Sequence, residues 1–260
     1  MAEETIGENP IRALLMLLGV AVVCALLVSV SAVKLRPYHV ANLEAHRLAQ
    51  LDSIFGALSG TAHEVAAAGI ESRVVELASG RYADKLDAAT YDARKAATDP
   101  DASIAIPSDR DIAGIKRRAK HATVFLARDA NGDVALIILP VRGSGYQSSL
   151  YGFLALTGDT STVVALRFYE QGDTPGMGAR IQDRSWESLW PGKQVYDETG
   201  AVKLGVARGK LAPGSIDAEH MVDGISGATR TSQGVHGLLR FWLGDFGFGP
   251  FLERVRRGEA

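Results

Sequence analysis

An α+β architecture, one N-terminal transmembrane helix followed by one domain of mixed helices and antiparallel sheet, follows from three features of the 260-residue chain. An uncharged apolar run near the N-terminus has the length of a bilayer crossing. Short apolar runs joined by turn signals fill the middle of the chain, as strands of an antiparallel sheet would. A run with helical spacing of apolar residues lies near the end.

The composition agrees. Hydrophobic residues make up 47% and charged residues 22%, which excludes a disordered tail, a collagen-like repeat or a coiled-coil rod. Lys and Arg total 28 against 30 Asp and Glu, a net charge of −2. Such a balance exerts no long-range pull on nucleic acid, so no nucleic-acid partner is expected. A single cysteine, Cys24, leaves no internal disulfide, CxxC pair or cysteine-rich cluster.

The elements are taken in chain order. Residues 1–12 form a polar tail with Glu3, Glu4 and Glu8 against one Arg12. Ala13 to Val33 contains no charge and only two serines; 21 helical residues span about 31 Å, close to the roughly 30 Å hydrocarbon core. A cleavable signal peptide fits less well, because its apolar stretch is usually shorter and its start basic. Cys24 lies in mid-span as a small packing residue. Lys34, Arg36 and Arg47 follow the span, and counting basic residues points to a cytoplasmic body.

Residues 34–120 read as a helical membrane-proximal region. Pro37 suits the first turn of a helix running to Leu51. The stretch to Ala97 stays rich in Ala, Leu and charge, consistent with further helix. Thr98 to Arg110 is a loop by its Asp, Pro and Ser content.

Residues 121–260 hold the sheet. Thr123–Ala127 and Val134–Val141 are apolar runs joined through Asn131-Gly132, a strong hairpin signal. Leu150–Leu156 and Val163–Tyr169 form a second pair across the polar turn from Thr157 to Thr162. Lys203–Ala207 is a weaker strand. In Ser232 to Leu243, the residues Val235, Leu238, Leu239, Trp242 and Leu243 mark one helical face, and Gly244 can end it. Arg254, Arg256 and Arg257 read as a solvated basic end.

The chemistry centres on Asp223-Gly224-Ile225-Ser226-Gly227-Ala228-Thr229, just before that helix. Gly224, Gly227 and Ala228 leave amides accessible, and Thr231 or Ser232 can cap the helix. Unpaired N–H groups and partial positive charge make such a helix start hospitable to an anion. The hydroxyl of Thr229 stands there. The residues alone favour an ordinary capped helix after a glycine turn.

The seven-residue string resembles the flavinylation motif of bacterial ion-pumping redox complexes. In that family the last Thr of Ser-Gly-Ala-Thr receives FMN through a phosphoester bond, transferred from FAD by a dedicated transferase. The resemblance implies that Thr229 is the acceptor, with Asp223, Gly224, Ser226, Gly227 and Ala228 as recognition motif and Thr231 beside it. Gly172-Asp173-Thr174-Pro175-Gly176-Met177-Gly178 resembles the family's Glu-Thr-Pro-Gly-Leu-Gly loop against the flavin, which implies contacts from Thr174, Met177 and Gly178. Gly143, Gly145, Ser149 and the strand from Tyr151 resemble its glycine-rich turn and strand. Where the family has Leu-Trp this chain has Tyr146-Gln147, so Gly145 and Tyr146 are expected at the flavin, with Tyr146 as the substitute aromatic.

The order of parts resembles the C-subunit family of the sodium-translocating NADH:quinone oxidoreductase. The G subunit of the ferredoxin-linked Rnf complex shares the motif, but its chains are shorter, and the segment from Leu43 to Arg118 favours the C-subunit family. The resemblance implies an FMN-carrying electron relay in the bacterial inner membrane with a periplasmic body, against the charge count. It also implies partners: the other subunits of the complex, the flavin transferase and membrane lipid. Electrons would arrive from an iron–sulfur centre in the membrane and leave to a second covalent FMN, with NADH and quinone bound elsewhere. A membrane-anchored structural or assembly protein is the competing class.

No acid–base pair is needed for such a relay. His220 reads as a hydrogen-bonded structural residue, and Glu170 and Asp173 as solvated loop acids. No metal-ligand spacing, nucleophilic triad, P-loop or GxGxxG is present, so no catalytic residue, metal or non-covalent dinucleotide is expected.

Overall fold

The computed structural model describes residues 10–56, 70–212 and 214–259. The chain divides at His46/Arg47 into two compact units. Helix α1 is Pro10–Gly56. Within it Ile11–Tyr38 is long and apolar enough to cross a membrane, and its 18-residue apolar window has a mean hydropathy of 2.9 with no buried share. Pro37 lies inside this helix rather than at the start of a new one. Its missing N–H leaves only the carbonyl four residues earlier without its helical partner.

The body is built on a five-stranded antiparallel sheet. Its strands are β1 (Ile70–Glu76), β4 (His121–Arg128), β5 (Val134–Ser144), β6 (Ser149–Thr157) and β7 (Val163–Glu170), and they lie side by side in that order. Both expected strand pairs form. At Asn131-Gly132 the turn closes as Asp129 accepts from the amides of Asn131 (2.9 Å) and Asp133 (3.0 Å), while Gly132 supplies a φ of 90°. Between β6 and β7, Asp159 gathers the amides of Ser161 and Thr162 in the same way.

Residues 70–76 correct the helical reading of the membrane-proximal region. They form an edge strand paired with β4, Val75 against Ala122, so the sheet reaches across residue 120. The expected loop after Thr98 likewise contains β2 (Ser103–Ala105), paired with β3 (Arg117–Ala119). The expected helix to Leu51 forms as the continuation of α1, and between residues 70 and 120 helix remains only as α2, Ala93–Thr98, capped by Asp92.

Strand alternation sends β5 side chains both ways. Ile137, Leu139 and Val141 join the main core, and Leu136 and Ile138 a second cluster with Phe153, Ala155 and Ala165. The main core is closed by α4, Thr229–Leu243; α3 is the single turn Arg184–Glu187. Val235, Leu238, Leu239, Trp242 and Leu243 are all buried, as their spacing requires. Trp242 Nε1 donates to the Arg142 carbonyl at 2.7 Å, tying α4 to β5. The weak strand expected at 203–207 shrinks to β8 (Gly205–Val206), parallel to β9 (Met221–Val222).

The basic C-terminus is a docked helix, α5 (Gly249–Arg256), and not a free end. Phe248, Phe251 and Leu252 are fully buried. Arg256 donates to Thr160 Oγ1 and lies over the Tyr196 ring. Three apolar side chains in the core outweigh the solvation preference of the arginines that follow them.

Candidate functional site

Three segments meet at the start of α4: the β5–β6 turn, the loop after β7, and the glycine-containing motif. They line a cleft of about 360 Å³ bounded by Tyr146, Asp173, Thr174, Met177, Gly178, Gly227, Ala228, Thr229, Arg230 and Thr231. Thr229 is the first residue of α4 and is exposed. Gly227 turns the chain into the helix with a φ of 77°, in the left-handed region open to glycine.

The helix is not capped by Thr231 or Ser232. Ala228 holds the capping position, without a side-chain hydrogen bond. Ser232 Oγ instead accepts from the Ile225 amide at 3.0 Å, and Thr231 points into the protein. Both hydroxyls lie too far along the helix to reach back as caps.

Thr231 Oγ1 donates to Asp173 Oδ2 at 2.6 Å. The same carboxylate accepts from the amides of Tyr146 (3.0 Å) and Gln147 (2.9 Å). One buried acid therefore ties all three segments together. Asp173 is only 4% exposed, which corrects its reading as a solvated loop residue. Burial pushes its carboxyl upward, but the Thr231 hydroxyl and the Gln147 and Tyr146 amides prevail and hold it below the usual carboxylate range. Gly178 makes this possible, since a Cβ there would come within 2.5 Å of Thr231 Oγ1.

Of the residues expected at the site, Tyr146, Thr174, Met177, Gly178, Gly227, Ala228, Thr229 and Thr231 line the cleft. Gly145 stands behind it, its amide donating to Ser148 O at 2.7 Å. Asp223 and Gly224 support the motif from below. Asp223 Oδ1 accepts from the Leu211 amide (2.8 Å), its carbonyl accepts from Trp186 Nε1 (3.1 Å), and the Gly224 amide donates to Gly209 O (2.9 Å). Ser226 is exposed outside the cleft lining.

His220 Nδ1 lies 3.0 Å from the Gln194 carbonyl, a structural hydrogen bond. Glu170 is paired with Arg94 at 2.5 Å rather than solvated alone. Sequence reasoning missed Asp173 as the knot and Arg230 as a lining residue. The one available signal was the position of Asp173 at the head of a glycine-rich loop.

An amide-rich helix start beside an exposed aromatic and a thioether defines a small-molecule cleft with an anion-friendly end. Residues 145–244 match the FMN-binding domain family, so the class is an FMN-binding domain behind an N-terminal apolar helix. The chain is 43% identical over 258 residues to the C subunit of the Na(+)-translocating NADH-quinone reductase of Pseudomonas aeruginosa, covering 97% of this chain and 98% of that one. It is 41% identical to the C subunit of the Vibrio alginolyticus reductase, over 93% of each. The crystal structure of Shewanella oneidensis NqrC superposes with a TM-score of 0.70 at 31% identity, covering 82% of this chain and 98% of that one. The chain belongs to the NqrC family, the C subunits of Na(+)-translocating NADH-quinone reductases.

Proposed function

We propose that this chain is the electron-carrying subunit of a sodium-translocating NADH-quinone reductase and works through FMN joined to Thr229 by a phosphoester. The observation that carries this reading is the exposed hydroxyl of Thr229 on the first turn of α4, at the lip of the cleft. A volume of about 360 Å³ falls within the range of small-molecule sites. Helix-start amides suit a phosphate, and the exposed Tyr146 and Met177 side chains offer aromatic and polarisable surfaces to a flat ring. The Asp173 knot keeps both loops in place around them.

Attachment balances as a phosphoryl transfer. Thr229 Oγ1 forms a bond to the flavin-side phosphorus of FAD, the P–O bond to AMP breaks, and AMP departs. The hydroxyl proton is lost and no electron moves. Among the described residues no carboxylate is hydrogen-bonded to Thr229, so the transferase must supply the base. Bound FMN supplies one- and two-electron chemistry; the chain anchors it, orients it and limits its access to water.

A single span at Ile11–Tyr38 in the bacterial inner membrane, with the body periplasmic, completes the reading. A covalent bond suits a carrier outside the cytoplasm, where a dissociated cofactor is lost. The other subunits of the complex provide the electron donor and acceptor. To test it, the full chain is co-expressed with a flavin transferase and run on a denaturing gel. Wild type gives a fluorescent band and Thr229→Ala none. A colourless wild type overturns the electron-carrier reading, and a fluorescent Thr229→Ala overturns the site.

A further inference from the structure

We infer that Arg230 is a positioning residue for the flavin, a fixed countercharge that makes the bound cofactor easier to reduce. The inference rests on the proposed attachment at Thr229.

Three observations point to it. Arg230 follows Thr229 on the first turn of α4 and lines the cleft. Its guanidinium carbon lies 5.3 Å from the centroid of the Tyr146 ring on the opposite wall, a cation–π distance. Asp173, the carboxylate of the lining, already accepts from Thr231, Tyr146 and Gln147, and among the described residues Arg230 forms no ion pair.

The electrostatics of α4 then have the wrong sign for a bare helix. Its first turn carries no acidic residue, and its N-cap, Ala228, makes no side-chain hydrogen bond. A cation sits where the macrodipole is already positive. An anion at Thr229 corrects both features: a phosphodiester keeps one negative charge, which the amides and the guanidinium share. Reduction adds electrons to the same cofactor, and a cation held at the cleft favours the reduced form. The Tyr146 ring holds the exposed Arg230 guanidinium beside the cleft, which gives this departure from the family's Leu-Trp pattern a purpose.

The test uses the full chain co-expressed with the transferase, as wild type, Arg230→Gln, Arg230→Lys and the control Arg257→Gln. Arg257 pairs with Glu253 and is outside the cleft lining. In-gel fluorescence reports loading, and spectroelectrochemical titration reports the flavin potential. Arg230→Gln is expected to load and to shift the reduced-to-oxidised ratio at least tenfold toward oxidised at fixed potential, about 30 mV for a two-electron couple. Arg230→Lys keeps most of the wild-type value, and Arg257→Gln all of it. Loss of loading in Arg230→Gln with loading retained in Arg230→Lys also supports the countercharge. A loaded Arg230→Gln at the wild-type potential overturns it. So does failure of both Arg230 variants to load, which makes the role steric. A wild type that never loads overturns the attachment reading itself, a result separable from the others.

Discussion

The two ends of α4 obey different rules. Its core flank is held by area: Val235, Leu238 and Leu239 are fully buried against the sheet, where only volume and shape matter. Its first turn is held by a few directed polar contacts, with Thr231 and Ser232 buried and bonded while Thr229 and Arg230 stay exposed. The contrast teaches that the helix is a mount. Its apolar flank fixes a position, and its polar end presents one hydroxyl at that position.

The comparison breaks if the two ends respond alike to truncation. Leu238→Ala should be the costliest change, about 2–5 kcal/mol, read by denaturant unfolding, with flavin loading at Thr229 preserved wherever the chain stays folded. Asp173→Asn should cost about 1.5–3 kcal/mol, the range for hydrogen bonds to a charged group, and should lower loading as the two loops part.

That variant also carries a pH signature. The Asp173 carboxyl is held below its ordinary value in the folded chain. Its contribution is therefore complete above the unfolded value of about 3.9 and is lost as pH falls below that toward the folded one. Wild type should lose stability in that acid window more steeply than Asp173→Asn, in thermal melts run as a pH series. Parallel curves would remove Asp173 from its place as the knot. Thr229→Ala should be the mildest for stability, within about 1 kcal/mol, because an exposed first-turn side chain that makes no cap has little to lose.

The same division explains what the sequence made legible. The core flank of α4, the strands β4 to β7 and the apolar span were readable because hydrophobic periodicity encodes burial directly. β1 was not. Ile70–Glu76 interleaves Glu71, Arg73 and Glu76 with its apolar residues because it lies at the sheet edge with most positions exposed, so no alternation survives. The docking of α5 was hidden by the arginines that share its turns with Phe251 and Leu252.

At the candidate site, Thr229, Gly227 and Ala228 were singled out through a family motif, since helix-start glycines alone do not distinguish a cofactor mount from a cap. The role of Asp173 depends on Thr231 and the Tyr146 amide, far away in sequence. A local pattern of charge cannot show that an acid is buried and tethered by distant partners.

The central claim concerns one oxygen atom, and mass spectrometry addresses it most directly. Trypsin releases the peptide from Leu211 to Arg230, which contains Thr229. In protein purified from its native membrane, this peptide is predicted to carry FMN less one water, localised to Thr229. The same peptide recovered only in unmodified form would contradict the account.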